Sequence, residues 1–156
     1  MAISTWFVEK CLQPIFRRNS LLGDKPYFDK NDFVVAGELE QLYPLILQEF
    51  YGIKDRVKDF APFQTISPDQ TYISNDEKWK MFFLKAGGLR FDRNCEELPF
   101  IMSILDKYPD IISAYLSVLG PRKMLNPHHG PWSGVLRMHL GLVIPTDGKG
   151  CTLVND

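Results

Sequence analysis

Apolar positions follow a helical period in the earlier part of the chain and an alternating one toward its end. Leu39, Leu42, Ile46, Phe50, Ile53 and Val57 recur at helical spacing and predict one helix over 38–58 with a face toward a core. Pro44 removes an amide donor there, so it either kinks that helix or sets its real start. Leu98, Ile101, Met102 and Leu105 share one face of a second predicted helix, Cys95 to Tyr108, which Pro109 ends. Trp79 to Leu84 reads as a strand closed by Gly87-Gly88. From Ile111 onward the pattern turns to β. Strands are expected at 111–119, 124–127 and 134–144, with a turn at Gly120–Lys123, a hairpin turn at 146–150 and a return strand opening at 151–154. Residues 23–37 read as an irregular lead-in and 61–75, rich in Pro and Ser, as loop.

Helices first and antiparallel strands afterwards favour an α+β fold, mainly antiparallel β, with N-terminal helices flanking the sheet. The strand at the end of the chain has no following partner, which raises the expectation that the domain is incomplete at its C-terminus.

Composition narrows the class. At 156 residues, 45% hydrophobic and 24% charged, the chain suits a water-soluble globular domain. Eleven Phe, six Tyr and three Trp fit a sheet-rich core. A formal net charge of −1 supplies no whole-chain attraction to nucleic acid, and no partner of that kind is expected. Cys11, Cys95 and Cys151 are far apart and form no C-x-x-C, which predicts free thiols in a reducing compartment. No apolar run is long enough to span a bilayer. A cytoplasmic location follows, with peripheral membrane contact left open. Phe7, Leu12, Ile15 and Phe16 beside Arg17-Arg18 suit either a weak interfacial helix or a short helix packed on the domain.

The chemistry concentrates between Asn126 and Pro145, which holds all three histidines of the chain. In an extended segment, Leu136, Met138, Leu140 and Leu142 occupy one face, and Arg137, His139 and Gly141 the other. A guanidinium fork beside an imidazole is a natural cradle for a carboxylate. Gly141 would leave room for a ligand near the backbone. His128, ahead of this run, is a candidate metal ligand, although strand histidines often only line a polar sheet face. The spacing matches neither a zinc finger nor H-E-x-x-H. The carboxylate of the usual two-His, one-carboxylate triad would fall at Gly130. A structural site using His128, His129 and His139 together is opposed by alternation, because adjacent extended residues point apart.

Pro127-His128, Gly130-Pro131 and the run from Leu136 to Pro145 resemble the aspartyl/asparaginyl β-hydroxylase family, which includes bacterial lipid A hydroxylases. The resemblance covers roughly residues 26–156 and is strongest from Ser117 onward, leaving 1–25 as an N-terminal segment. The block Trp79 to Lys85 and Leu125 to His128 are most similar to the lipid branch, whereas Leu136 to Pro145 is closer to the peptidyl-aspartate branch. The resemblance implies a double-stranded β-helix (jelly-roll) core and a dioxygenase dependent on Fe(II) and 2-oxoglutarate. Its substrate would be a peptidyl Asp/Asn side chain or a lipid acyl chain. By the same resemblance, His128 is an iron ligand, and Arg137, Met138 and His139 form the stretch that contacts 2-oxoglutarate. Ser117, eleven residues before His128, matches a serine that also contacts the cosubstrate, against the plain alternative of a strand hydroxyl. Gly130 matches the glycine that stands in place of the triad carboxylate, and His129 has no family role. The family also requires a second iron-binding histidine and an arginine further downstream, both expected beyond Asp156. A catalytically inactive domain with a binding role is therefore the competing expectation.

Overall fold

A computed structural model describes residues 11–23, 25, 27–128 and 134–145. Two compact units are present: residues 41–127, and residues 1–40 together with 128–156.

The unit of residues 41–127 is built on one strand. β2 (Trp79–Ala86) pairs antiparallel with β1 (Ala61–Pro62) and β3 (Leu89–Arg90) along one edge and with β4 (Ala114–Leu119) along the other. Its sequence, Trp-Lys-Met-Phe-Phe-Leu-Lys-Ala, suits a central position because both faces are apolar. Trp79 and Met81 join Phe63 and Ile73 in a buried cluster on one face, with Phe83, Tyr115 and Leu125 packed against it. On the other face Phe82 stacks on Phe60 at 4.7 Å between ring centroids. Two positive-φ glycines, Gly87 (56°) and Gly88 (84°), make the turn from β2 to β3. Register between β2 and β4 shifts between Phe83 and Lys85, and the carbonyl of Leu84 there accepts the amide of Phe91 at 3.0 Å.

The expected helix over 38–58 is in fact three pieces: α2 (Val34–Gln41), α3 (Tyr43–Ile53) and a 3₁₀ stretch Lys54–Asp59. Pro44 stands in the first turn of α3, so it sets a new start. The expected second helix is likewise split into α5 (Asp92–Cys95) and α6 (Pro99–Leu105). Pro99 disfavours helical backbone at Leu98, which takes φ −129° and ψ 57°. α3 packs against α6, and α5 against β2. Leu84, Leu98 and Ile104 are the most deeply buried side chains.

Leu98 cannot serve as a polar cap, and Pro99 has no amide hydrogen. The first amides of α6 are instead capped from α3: Glu49 accepts from Phe100 N at 2.6 Å and from Ile101 N at 2.8 Å. Arg90 holds Asp106 at 3.1 Å, and this pairing keeps the Asp106 carboxyl below its usual range. The stretch 61–75, expected as loop, holds β1, α4 (Phe63–Ile66) and a 3₁₀ turn Pro68–Gln70. The expected turn at Gly120–Lys123 is present, with Lys123 N donating to Gly120 O at 3.1 Å.

In the other unit, α1 (Gln13–Arg18) precedes a 3₁₀ turn Lys30–Asp32 and α2. Asp29 caps that turn by accepting from Asn31 N at 2.9 Å, and Lys30 pairs with Glu40 at 2.7 Å. Residues 23–37 are therefore only partly irregular. The expected strands at 124–127 and 134–144 do not form among the described residues. Alternation supplies a face but not a ladder, and no described strand offers these segments backbone partners. Leu136 and Met138, expected to share one apolar face, are about half exposed. The expected hairpin turn at 146–150, the return strand at 151–154, and Phe7, His129, Gly130, Pro131 and Cys151 lie outside the described residues. Among the described residues no helix is long and apolar enough to cross a membrane.

Candidate cosubstrate residues and a polar cleft

Ser117 sits on β4 directly opposite Met81, on the same sheet face as the Trp79 cluster. The indole of Trp79 donates to Ser117 Oγ at 2.9 Å, and the same ring stacks on Phe63 at 3.8 Å. An indole N–H can only donate, so the serine oxygen is the acceptor and its own proton is left to point elsewhere. Ser117 is exposed while Trp79 is buried. The buried ring thus engages one lone pair of an exposed hydroxyl, whose proton remains to be given. The sequence pattern placed Ser117 on a strand but missed its partner, because the pair spans 38 residues and meets only through the β2–β4 register.

His128, Arg137, Met138 and His139 belong to the other unit and stand in backbone without regular structure. All four are exposed. His139 keeps enough chain around its imidazole to lower its pKa from the usual value, and the Arg137 cation adds to that push. Arg137 and His139 are therefore close enough to interact. A Cβ added at Gly141 would come within 2.5 Å of the Ile144 side chain, so the space beside this glycine is taken by that flexible tip. Among the described residues no group of three or more His, Cys, Asp or Glu side chains could hold a metal ion. His128 is thus a single candidate ligand within the described chain.

A second feature was read in the sequence only as loop. Residues 71–75 and the chain from Lys123 to Asn126 line a polar cleft of about 270 Å³. Lys123, its side chain 7% exposed, holds Asp76 at 3.0 Å, and this hydrogen bond is the main reason the Asp76 carboxyl lies below its usual range. Asn126 Nδ2 donates to Tyr72 O at 2.7 Å, tying the two walls. Ser74 is 3% exposed, and its hydroxyl has no hydrogen-bond partner among the described residues. Cys95 is also buried, with its Sγ 3.4 Å from Leu84 O, and burial pushes its thiol pKa up. It is a core group, not a reactive one.

The chain is 39% identical over 124 residues to an ornithine lipid ester-linked acyl 2-hydroxylase from Rhizobium tropici, covering 80% of this chain and 44% of that protein. It is 30% identical over 123 residues to human aspartyl/asparaginyl beta-hydroxylase, covering 76% of this chain and 16% of that protein. With human aspartate beta-hydroxylase domain-containing protein 2 it shares 31% identity over 146 residues, 85% of this chain and 36% of that protein. The chain thus spans less than half the length of each of these relatives. The sequence profile of the family covers residues 40–156, taking in the whole sheet, the polar cleft and the segment from His128 to His139, and on that match the chain belongs to the Aspartyl/Asparaginyl beta-hydroxylase family.

Proposed function

We propose that this chain is part of an Fe(II)- and 2-oxoglutarate-dependent hydroxylase acting on an acyl chain of an amino-acid-derived lipid. The observation that carries the reading is the 39% identity to a lipid acyl 2-hydroxylase across 80% of the chain. A jelly-roll scaffold belongs to this proposal, with β2 and β4 as two of its antiparallel strands.

The donor chemistry fits the cosubstrate. Ser117 offers an oriented O–H because its oxygen already accepts from Trp79. Arg137 offers a guanidinium fork that pairs with a carboxylate through two parallel hydrogen bonds. His139, with its pKa lowered, is neutral at physiological pH and can donate one N–H without adding charge. Met138, between them, contributes apolar contact. The His128 imidazole would hold the metal. Iron and 2-oxoglutarate, when bound, supply the oxidising power for breaking an unactivated C–H bond. The chain's own residues bind and orient the dicarboxylate and limit the geometry in which that power is released.

The test is succinate release by the protein supplied with Fe(II), 2-oxoglutarate and an ornithine lipid. Release that requires all three and disappears in His128→Ala supports the reading. Lipid-independent release, or none at all, overturns it. The second reading, hydroxylation of a peptidyl Asp or Asn, rests on the 30% identity to the human enzyme. It would be favoured by turnover with an acidic peptide and none with lipid.

A further inference from the structure

The turn that follows α1 holds apolar residues where turns ordinarily hold polar ones. Ser20 and Gly23 are clasped twice: Gly23 N donates to Ser20 O at 3.3 Å, and Ser20 Oγ donates to Gly23 O at 3.1 Å. Gly23 takes a φ of 82°, a conformation that costs a glycine little. Leu21 and Leu22 form the tip of this turn. Leu21 is fully exposed, Leu22 about half exposed, and Ile15 on α1 about half exposed as well. One exposed leucine is ordinary, but an adjacent pair held out by a hydrogen-bonded turn keeps its hydration cost in the folded chain. The helix is closed off before the turn begins: Asn19 N donates to Ile15 O and Phe16 O at 3.1 and 3.2 Å, and Asn19 Nδ2 to Ile15 O at 2.7 Å.

Exposed cations flank the tip on both sides, Arg17 and Arg18 in the last turn of α1 and Lys25 beyond Gly23. Residues 1–25 hold four cations and two anions, whereas 26–156 hold fourteen and seventeen. The positive excess here thus runs against the charge of the chain as a whole.

Shape and charge together select the occupant. The leucines make a convex tip, so a folded partner would need a pocket built to match it, whereas a bilayer interface yields to any apolar tip. A second copy of the chain on a two-fold axis would set this patch against itself and bring its arginine pair toward the other. Nucleic acid would answer the cations and leave the leucines wet. An anionic lipid surface answers both, with headgroups for the cations and the acyl boundary for the leucines.

We propose that Leu21 and Leu22 insert into the interface of an anionic bilayer and that Arg17, Arg18 and Lys25 hold them there. The contact is peripheral, because α1 is six residues long and far short of a span. The inference goes beyond the hydroxylase reading and does not rest on it, since none of these residues belongs to the candidate cosubstrate set.

The test sediments the full chain with sucrose-loaded vesicles, without iron or 2-oxoglutarate. One set is phosphatidylcholine alone and the other contains about one-third phosphatidylglycerol. Binding to the anionic set is expected to be at least about tenfold tighter and to weaken as NaCl rises from about 0.1 M to about 0.5 M. Leu21→Ser/Leu22→Ser is expected to weaken it about tenfold or more, and Arg18→Gln about fivefold. Both changes fall on exposed residues, so the urea midpoints are expected to stay at the parent's value, which separates lost binding from lost folding. In Leu21→Trp, the added indole emission is expected to shift to the blue on anionic vesicles and to be quenched by brominated acyl chains, a signature that surface adsorption by charge alone does not give. Undiminished binding by the double leucine variant, equal affinity for the two vesicle sets, or no binding to either would overturn the proposal. A dimer in solution that the leucine variant abolishes would also overturn it, because the tip would then belong to a second copy. Vesicle binding without succinate release sinks only the hydroxylase reading. Turnover of a detergent-dispersed lipid without vesicle binding sinks only this one.

Discussion

Replacing Ser117 by alanine tests whether the hydroxyl is an oriented donor or a plain strand side chain. The change leaves the Trp79 indole N–H without its partner in a ring that is only 8% exposed. An ordinary hydrogen bond contributes about 1 kcal/mol net, and an orphaned buried donor costs about 1–3 kcal/mol. Ser117 itself is exposed, so water can replace the lost oxygen in part, and Ser117→Ala is expected to cost about 1–1.5 kcal/mol. Trp79→Phe removes the same bond together with roughly 40 Å² of buried ring, for a total of about 2 kcal/mol. The double variant removes donor and acceptor together and is also expected to cost about 2 kcal/mol, which leaves a coupling energy of about 1 kcal/mol.

Urea unfolding of the parent and three variants measures that coupling. A second assay separates stability from cosubstrate binding. If the serine proton is given to a 2-oxoglutarate carboxylate, Ser117→Ala weakens 2-oxoglutarate binding to the Fe(II)-loaded protein about fivefold to tenfold under argon. Trp79→Phe keeps the hydroxyl and only frees its rotor, so it is expected to weaken binding no more than about threefold. A coupling energy within about 0.3 kcal/mol of zero would refute the hydrogen-bond argument. Equal cosubstrate losses in the two single variants would refute the donor argument even if the bond exists.

Glu49 is expected to be a major stabiliser of the 41–127 unit, because it accepts from both Phe100 N and Ile101 N at the start of α6. Glu49→Ala is expected to cost about 2 kcal/mol, the upper end of helix-cap losses, and Glu49→Gln, which keeps one acceptor, about 1 kcal/mol; a loss below about 0.5 kcal/mol for alanine in urea unfolding would rule the cap out. His139 is expected to titrate below 6.5 in a pH series of imidazole NMR spectra, and Arg137→Ala to raise that midpoint only partly, since burial is the larger cause. The folded state resists a proton that the unfolded chain accepts, so His139's contribution to stability is present above 6.5 and declines as pH falls through the depressed value; a midpoint at or above 6.5 would contradict this. Asp76 and Asp106 are both held below the ordinary carboxylate range by their cationic partners, so Asp106→Asn is expected to remove part of the acid sensitivity of unfolding below about pH 4, checked by urea midpoints at pH 3 and pH 7.

Local signals in the sequence carried the elements whose cause is local. β2 was legible because a run of aromatic and branched residues ends at Gly87-Gly88, and both glycines do take positive φ. The restart of α3 was legible in Pro44. The division of α5 from α6 was equally visible in Pro99, yet the apolar spacing from Leu98 to Leu105 drew the boundary through it. Relations across the fold were not legible. Glu49 is one unremarked acid until α3 and α6 bring it to the amides of Phe100 and Ile101, 51 and 52 residues away. The cleft wall at 71–75 reads as loop because its partners, Lys123 and Asn126, approach only after β2 and β4 pair. The run from 134 to 144 shows the converse: perfect alternation predicts a face, but a strand exists only where another strand takes its amides.

The candidate cosubstrate residues share a chemical bias that the family resemblance alone does not explain. Ser117 accepts one hydrogen bond from Trp79 and keeps its own proton to give. Arg137 has donors and no acceptor at all. Neutral His139 adds one N–H, and its lowered pKa keeps it from adding a second cation that Arg137 would repel. Arg137 and His139 by themselves offer donors around a single fixed positive charge, a combination that suits a carboxylate better than a cation or a neutral acceptor.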